Sequence, residues 1–179
     1  MGQAKTPEPS KLIVGLIFRD GLIKDKVLIA LKRKFGRIDY TSAVLNFNYT
    51  DYYYPEFGQP LSRLFIAFRN LLSEDILPEI KTYTNRIEKR FTAQGLRQVN
   101  IDPGFLSLGK LILATTKDQQ HRIYLRKGIF AEVTLLFRDR TFKPWEWTYP
   151  DYRTKEYIDI FNSIRLIYLQ QVKKNLPVS

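Results

Sequence analysis

The 179-residue chain contains no cysteine, which removes disulfides, thiolate metal centres and a cysteine nucleophile together. Histidine is nearly absent as well: His121 is the only side chain whose unperturbed pKa lies near neutrality. No run reaches the roughly 18 apolar residues of a membrane span. Met1–Ser10 is polar and carries two prolines, unlike a secretory leader. We therefore expect a soluble cytoplasmic protein with no membrane partner, residues 1–10 forming a disordered lead-in and 11–179 a single domain. Acidic residues are also scarce, 18 against 29 Lys and Arg, giving a net charge of +11 and a pI near 9.8. This balance favours anionic partners, either phosphorylated small molecules or nucleic acid. The basic residues are scattered, however, and the densest cluster is Lys32-Arg33-Lys34.

What is present is apolar and aromatic: 44% hydrophobic residues, with twelve Phe and eleven Tyr. That is too rich for disorder and supplies phenols that can line a pocket. Leu12–Phe18 reads as a central strand interrupted by Gly15, and Leu22–Phe35 as a helix ended by Gly36. Ile38–Tyr49 and Leu61–Leu71 alternate as strands, separated by a long Tyr-, Pro- and Gly-bearing loop over 50–60. A helix follows from Ser73 towards Gly95, then a short strand at Val99–Ile101 and a turn at Asp102-Pro103-Gly104. The order strand, helix, strand, strand, helix, strand predicts an α+β fold with a ferredoxin-like βαββαβ core. Phe105–Thr115 has helical spacing without excluding a strand. Arg122–Arg126, Ile129–Arg138 and Thr141–Trp147 predict an antiparallel hairpin or meander, and Arg153–Lys174 a C-terminal helix.

The unusual polar residues concentrate between Asn100 and Tyr152, with both tryptophans and His121. His121, Glu132 and Asp102 are the candidate catalytic groups: a near-neutral base, a carboxylate inside an apolar strand, and a carboxylate beside a tight turn. Each has a plain structural alternative: a half-exposed histidine, an ion pair for Glu132, and a self-bonded turn for Asp102. Asp51, Tyr52, Asn100, Lys117, Asp118, Arg122, Trp147, Tyr149, Asp151 and Tyr152 are the candidate ligand-binding residues. Arg122 would clamp a carboxylate or phosphate. The aromatics would stack on a base or sugar, with ordinary core packing as the alternative. Asp151 alternatively caps the last helix. Asp102, Glu132, Asp151 and His121 together offer donors for a hard divalent metal, although no two share a local ligand motif. The sequence names no cofactor and fixes no oligomeric state.

Five strings arrive in order: Thr50-Asp-Tyr-Tyr, Asn100-Ile-Asp-Pro-Gly, Ala114-Thr-Thr-Lys-Asp ahead of His121-Arg122, Gly128-Ile-Phe-Ala-Glu-Val-Thr-Leu, and Trp147-Thr-Tyr-Pro-Asp-Tyr. In this the chain resembles, over nearly its whole length, the prokaryotic domain-of-unknown-function family 4416. It departs at Glu56-Phe57-Gly58, where the family pattern has Met in the middle. The resemblance implies no established activity or catalytic residues, but some relatives carry a GTP-binding label. Gly104-Phe-Leu-Ser-Leu-Gly109-Lys110-Leu111 has the glycine and lysine spacing of a P-loop, yet Leu111 stands where Ser or Thr must hold Mg²⁺. A P-loop GTPase also needs a doubly wound parallel sheet, which this strand order does not offer. The expectation is a small anionic, phosphate- or nucleotide-like ligand in a His/carboxylate/aromatic pocket, with hydrolytic or phosphoryl chemistry within reach. The alternative is a non-catalytic RNA-binding or protein-interaction module.

Overall fold

A computed structural model describes residues 2–175. Met1 and 176–179, where the lead-in begins and the expected single domain ends, lie outside the described residues. In chain order the elements are β1 Ser10–Phe18, α1 Gly21–Phe35, β2 Ile38–Thr41, β3 Leu45–Phe47, α2 Tyr54–Phe57, β4 Leu61–Leu72 and α3 Leu77–Arg90. After these come β5 Thr92–Ala93, β6 Leu96–Arg97, β7 Val99–Leu106, β8 Lys110–Thr115, β9 Ile123–Arg126, β10 Ile129–Arg138, β11 Thr141–Pro144 and α4 Lys155–Asn175. The fold is mixed α and β, with an antiparallel sheet and a C-terminal helix.

The main sheet runs β11-β10-β8-β7-β1-β4-β2, with β3 added on β4 and β9 on β10. Strand β1 is buried at every position because both its faces are covered. Leu12, Val14, Leu16 and Phe18 enter one core beneath α1 and α3; Ile13 enters a second beneath α4, with Phe65, Tyr157 and Phe161. Helix α1 begins at Asp20, whose carboxylate accepts the Leu22 amide at 2.7 Å, and stops at Gly36, where φ is +91°. Ser73 opens a single 3₁₀ turn that runs into α3, and Pro78 sits in the first turn of that helix, where its missing N–H costs nothing.

Two expectations are corrected. Asp102-Pro103-Gly104 is no turn: β7 runs straight through it, paired with β1 from Val99 to Leu106. The proline is tolerated because β8 pairs with β7 only from Gly104 to Leu106, leaving Val99–Pro103 without a ladder partner on that side. Phe105–Thr115 is likewise a hairpin, the end of β7 and β8, not a helix. Its apolar residues sit between two covering layers, so burial on both faces mimicked helical spacing. The same hairpin takes up the glycine–lysine string, which therefore lacks the helix that a phosphate loop requires.

The fork between β7 and β8 shapes the rest of the molecule. At Gly104 a Cβ atom would lie 2.1 Å from the Ile112 carbonyl oxygen, so only glycine allows the strands to meet there before they part. Beyond the fork the free edge of β7 is satisfied by α3. Lys81 Nζ donates to the Ile101 carbonyl at 2.9 Å, and the Ile101 amide donates to Glu88 Oε1 at 2.7 Å. These two side chains, seven residues apart on one helix face, take the place of a neighbouring strand.

Candidate functional site

A cavity of about 730 Å³ opens where β7 and β8 part. Its walls come from the 49–53 loop, α3, β7, β8 with the segment after it, and the Tyr149–Tyr152 turn. At its base lies Arg63, which is 1% exposed. Arg63 and Asn100 both stand opposite Ile17, and Asp102 stands opposite Gly15 in the next row of the sheet. The guanidinium thus crosses β1 diagonally to reach Asp102, Nη1 to Oδ2 at 3.2 Å, while Nη2 donates to the Tyr152 hydroxyl at 2.6 Å. Gly15 makes this possible, because a Cβ there would sit 2.9 Å from Arg63 Nη2 and 3.1 Å from the Phe65 ring. The Phe65 ring also lies 4.7 Å beneath the guanidinium carbon, a cation–π contact. Burial alone would lower the Arg63 pKa, but the Tyr152 oxygen and the Asp102 and Asp151 carboxylates outweigh it and keep the group charged.

Asp102 also accepts from Asn100 Nδ2 at 2.8 Å. Asp151 is 7% exposed and takes no hydrogen bond from another side chain among the described residues. Burial pushes its pKa up, with Arg63 opposing. It does not cap the last helix; the Thr154 hydroxyl does, accepting the Tyr157 amide at 3.3 Å. Burial likewise raises the pKa of Glu88, with Lys81 opposing. Arg97 closes one wall, donating to both oxygens of Glu56 at 2.6 and 2.9 Å and to Glu88 at 3.2 Å. That pairing holds the Glu56 carboxyl below its usual range.

Of the residues expected from the sequence, Tyr52, Asn100, Asp102, Lys117, Glu132, Tyr149, Asp151 and Tyr152 line this cavity. Asp51, Asp118, His121, Arg122 and Trp147 do not. Asp51 begins the α2 turn through its carbonyl, and Asp118 is exposed. Arg122 is no ligand clamp because protein groups take its donors. Nε meets Glu132 Oε2 at 2.8 Å, Nη1 the Lys117 carbonyl at 3.0 Å and Nη2 the Tyr149 hydroxyl at 2.6 Å. It is a strut that fixes two walls of the cavity from behind. His121 stands on the same side, 3.2 Å from Glu132 Oε2 and stacked on Trp147, which in turn stacks on Trp145. Among the described residues no three of His, Asp or Glu gather into a metal site, so the divalent-metal arrangement is not formed.

Arg63, Lys81, Glu88 and Arg97 were not anticipated. Arg63 carried a legible signal, a cation inside the apolar Leu61–Leu72 run, of the same kind that made Glu132 conspicuous. Lys81 and Glu88 share a face with Ile80, Thr84 and Ile87, which marks them as buried once the helix is drawn.

A protein of mixed α and β structure built on an antiparallel sheet, with a charged and tyrosine-walled cavity at a strand fork, is the class that this architecture defines. The family model described as Domain of unknown function (DUF4416) matches residues 8–168, nearly the whole chain, and the protein belongs to that family. Comparisons with curated proteins and with solved structures return no match.

Proposed function

We propose that this is a cytoplasmic protein whose cavity binds a small phosphate-bearing ligand of nucleotide-like size. The observation that carries the reading is the cavity itself: about 730 Å³, walled by tyrosines, with the buried Arg63 paired to Asp102 at its base. Volumes of roughly 300–1,000 Å³ with a few convergent polar groups are typical of small-molecule sites, and carboxyls with raised pKa, as Asp151 and Glu88 have here, concentrate in such places. Two cations at the mouth, Lys89 and Lys117, make no ion pair among the described residues, while Tyr52 offers a ring 4.3 Å from Lys117 Nζ. Of the acid–base groups expected from sequence, Asp102 and Glu132 line the cavity and His121 does not. Binding is therefore the reading we hold ahead of histidine-assisted hydrolysis or phosphoryl transfer. For the scaffold we propose a ferredoxin-like core: the order β7-β1-β4-β2, antiparallel throughout and with α1 and α3 on one face, supports it.

A thermal-shift screen of inorganic phosphate, nucleotides and sugar phosphates tests this, on wild type and Lys117→Gln. Stabilisation of the wild type by a phosphate compound, reduced in Lys117→Gln, is the expected result, since a ligand that binds only the folded state must raise its melting temperature. No response to any phosphate compound would end the reading. The alternative is a non-catalytic RNA-binding module, and the exposed, stacked pair Trp145 and Trp147, backed by His121, favours it. It predicts salt-sensitive RNA binding that is lost in Trp147→Ala and indifferent to Lys117.

A further inference from the structure

The cavity is polarised, acceptors within and cations without. Its inner cations each already hold a protein acceptor. Arg63 gives Nη1 to Asp102 and Nη2 to Tyr152, its Nε is sealed from the cavity with no partner, and Lys81 gives Nζ to the Ile101 carbonyl. Two of the inner acceptors keep an oxygen open. Asp102 uses Oδ2 for Arg63 and Asn100, while Oδ1 has only Lys81 Nζ at 3.9 Å, beyond hydrogen-bond range. Asp151, nine-tenths buried and facing the cavity, has no side-chain partner among the described residues and meets only the backbone amides of Tyr152 and its own residue. A carboxylate accepts at both oxygens and donates nothing when ionised, so these two groups call for donors. A phosphate placed there would instead meet Asp102, Asp151 and Glu88. At the mouth the relation reverses, with Lys89 and Lys117 exposed and free of acidic partners among the described residues.

We propose that the ligand enters hydroxyl end first: Asp151 and Asp102 accept hydrogen bonds from a pair of neighbouring hydroxyls, and Lys89 and Lys117 hold the phosphate at the mouth. The ligand class is a phosphate monoester carrying a vicinal diol, either a free sugar phosphate or a nucleoside 5′-phosphate. This rests on the reading of the cavity as a phosphate-ligand site and adds its orientation and its specificity residue, Asp151.

The experiment is isothermal titration calorimetry at low salt with AMP, 2′,3′-dideoxy-AMP, ribose 5-phosphate, inorganic phosphate and phosphoethanolamine. Wild type binds AMP or ribose 5-phosphate about tenfold or more tightly than dideoxy-AMP, as expected for charge-assisted hydrogen bonds to a diol. Ribose 5-phosphate equal to AMP makes the sugar phosphate sufficient, whereas AMP tighter than ribose 5-phosphate assigns the base to the tyrosine wall; both support the proposal. In Asp151→Asn the preference for the diol falls to about threefold or less, while inorganic phosphate binding holds or improves. In Lys117→Gln every phosphate compound weakens about fivefold and the preference survives. Asp102→Asn repeats the Asp151 test should that variant fail to fold by circular dichroism. A diol preference untouched by both aspartate variants overturns the orientation and leaves the site reading standing. Phosphoethanolamine as the tightest ligand overturns the diol in favour of an ammonium. No binding of any phosphate compound to wild type at millimolar concentration overturns both readings together.

Discussion

Arg63 with Asp102 and Arg122 with Glu132 are assembled from the same parts. In each, a guanidinium no more than 8% exposed meets a carboxylate from an inner strand and a tyrosine hydroxyl, 2.6 Å away in both cases. They differ in closure. The Arg122 and Glu132 side chains are 1% and 2% exposed, and every guanidinium nitrogen has a protein partner. The Asp102 side chain is 26% exposed and keeps an oxygen for the cavity. A buried arginine–carboxylate pair is thus not a site by composition; what the proposed site adds is an open acceptor, which the parting of β7 and β8 leaves here. The closed pair serves the open one by tying Lys117 and Tyr149 into the wall.

The largest effect should come from breaking the closed pair. Arg122→Met leaves Glu132 charged and enclosed, which costs about 3–5 kcal/mol. Removing both charges in Arg122→Met/Glu132→Met should recover at least half of that loss, because the desolvation cost disappears with the partner. Denaturant unfolding of the two variants measures this. A single variant within about 1 kcal/mol of wild type, the typical worth of an exposed pair, would show that the strut is solvated after all.

Gly15→Ala attacks the open pair without touching a charge. The new methyl would overlap the Arg63 guanidinium and the Phe65 ring, and overpacking of this kind costs about 1–3 kcal/mol. It should also displace Arg63 from Asp102 and weaken phosphate-ligand binding. A variant that loses stability and keeps its affinity would separate the guanidinium from the site.

His121→Ala comes next. Its ring stacks on Trp147 and sits 3.2 Å from a carboxylate oxygen that Arg122 already satisfies. The loss should be about 1 kcal/mol, the usual worth of one aromatic contact, since Arg122 already holds the carboxylate oxygen. Ligand affinity should stay within twofold. A larger fall in affinity would move His121 into the site and restore the acid–base role that its sequence suggests.

How much of this was legible follows from the range of the causes. Local signals served well: the Asp20 cap, the Gly36 stop, the alternation of β10 and the last helix are decided within a few residues. Asp102 and Asp151 were picked out as residues and both line the cavity, but their surroundings were misjudged. Pro103 signals a turn unless its strand has an open flank, and that flank depends on β8 leaving at Gly104. Lys81 and Glu88 are buried because they serve a strand edge more than ten residues away, so no local window contains the reason. Arg63 was within reach by the argument applied to Glu132. His121 drew notice for its titration range and for its neighbours Lys117, Asp118 and Arg122, and neither says which side of Glu132 the ring occupies.

The smallest effect is expected from Asp151→Asn, read as stability against pH. Burial raises the folded pKa of Asp151 above the ordinary 3.8, with Arg63 opposing and Asp102 adding to the rise. The folded protein therefore binds the proton more readily than the unfolded chain. The stabilising contribution of the protonated form is complete below 3.8 and is lost as pH rises through the folded pKa. Above that raised value the wild type carries the cost of an ionised carboxylate without a side-chain partner, which the amide removes. Asp151→Asn should melt slightly above wild type near pH 7, and the gap should close as pH falls through the raised value towards 3.8. Glu88 titrates in the same direction but is present in both proteins, so it cancels from the difference. Melting temperatures from pH 4 to 8 decide the matter. An amide variant less stable at every pH would mean that the Arg63 guanidinium already partners Asp151, and the open acceptor that separates this pair from Arg122–Glu132 would be lost.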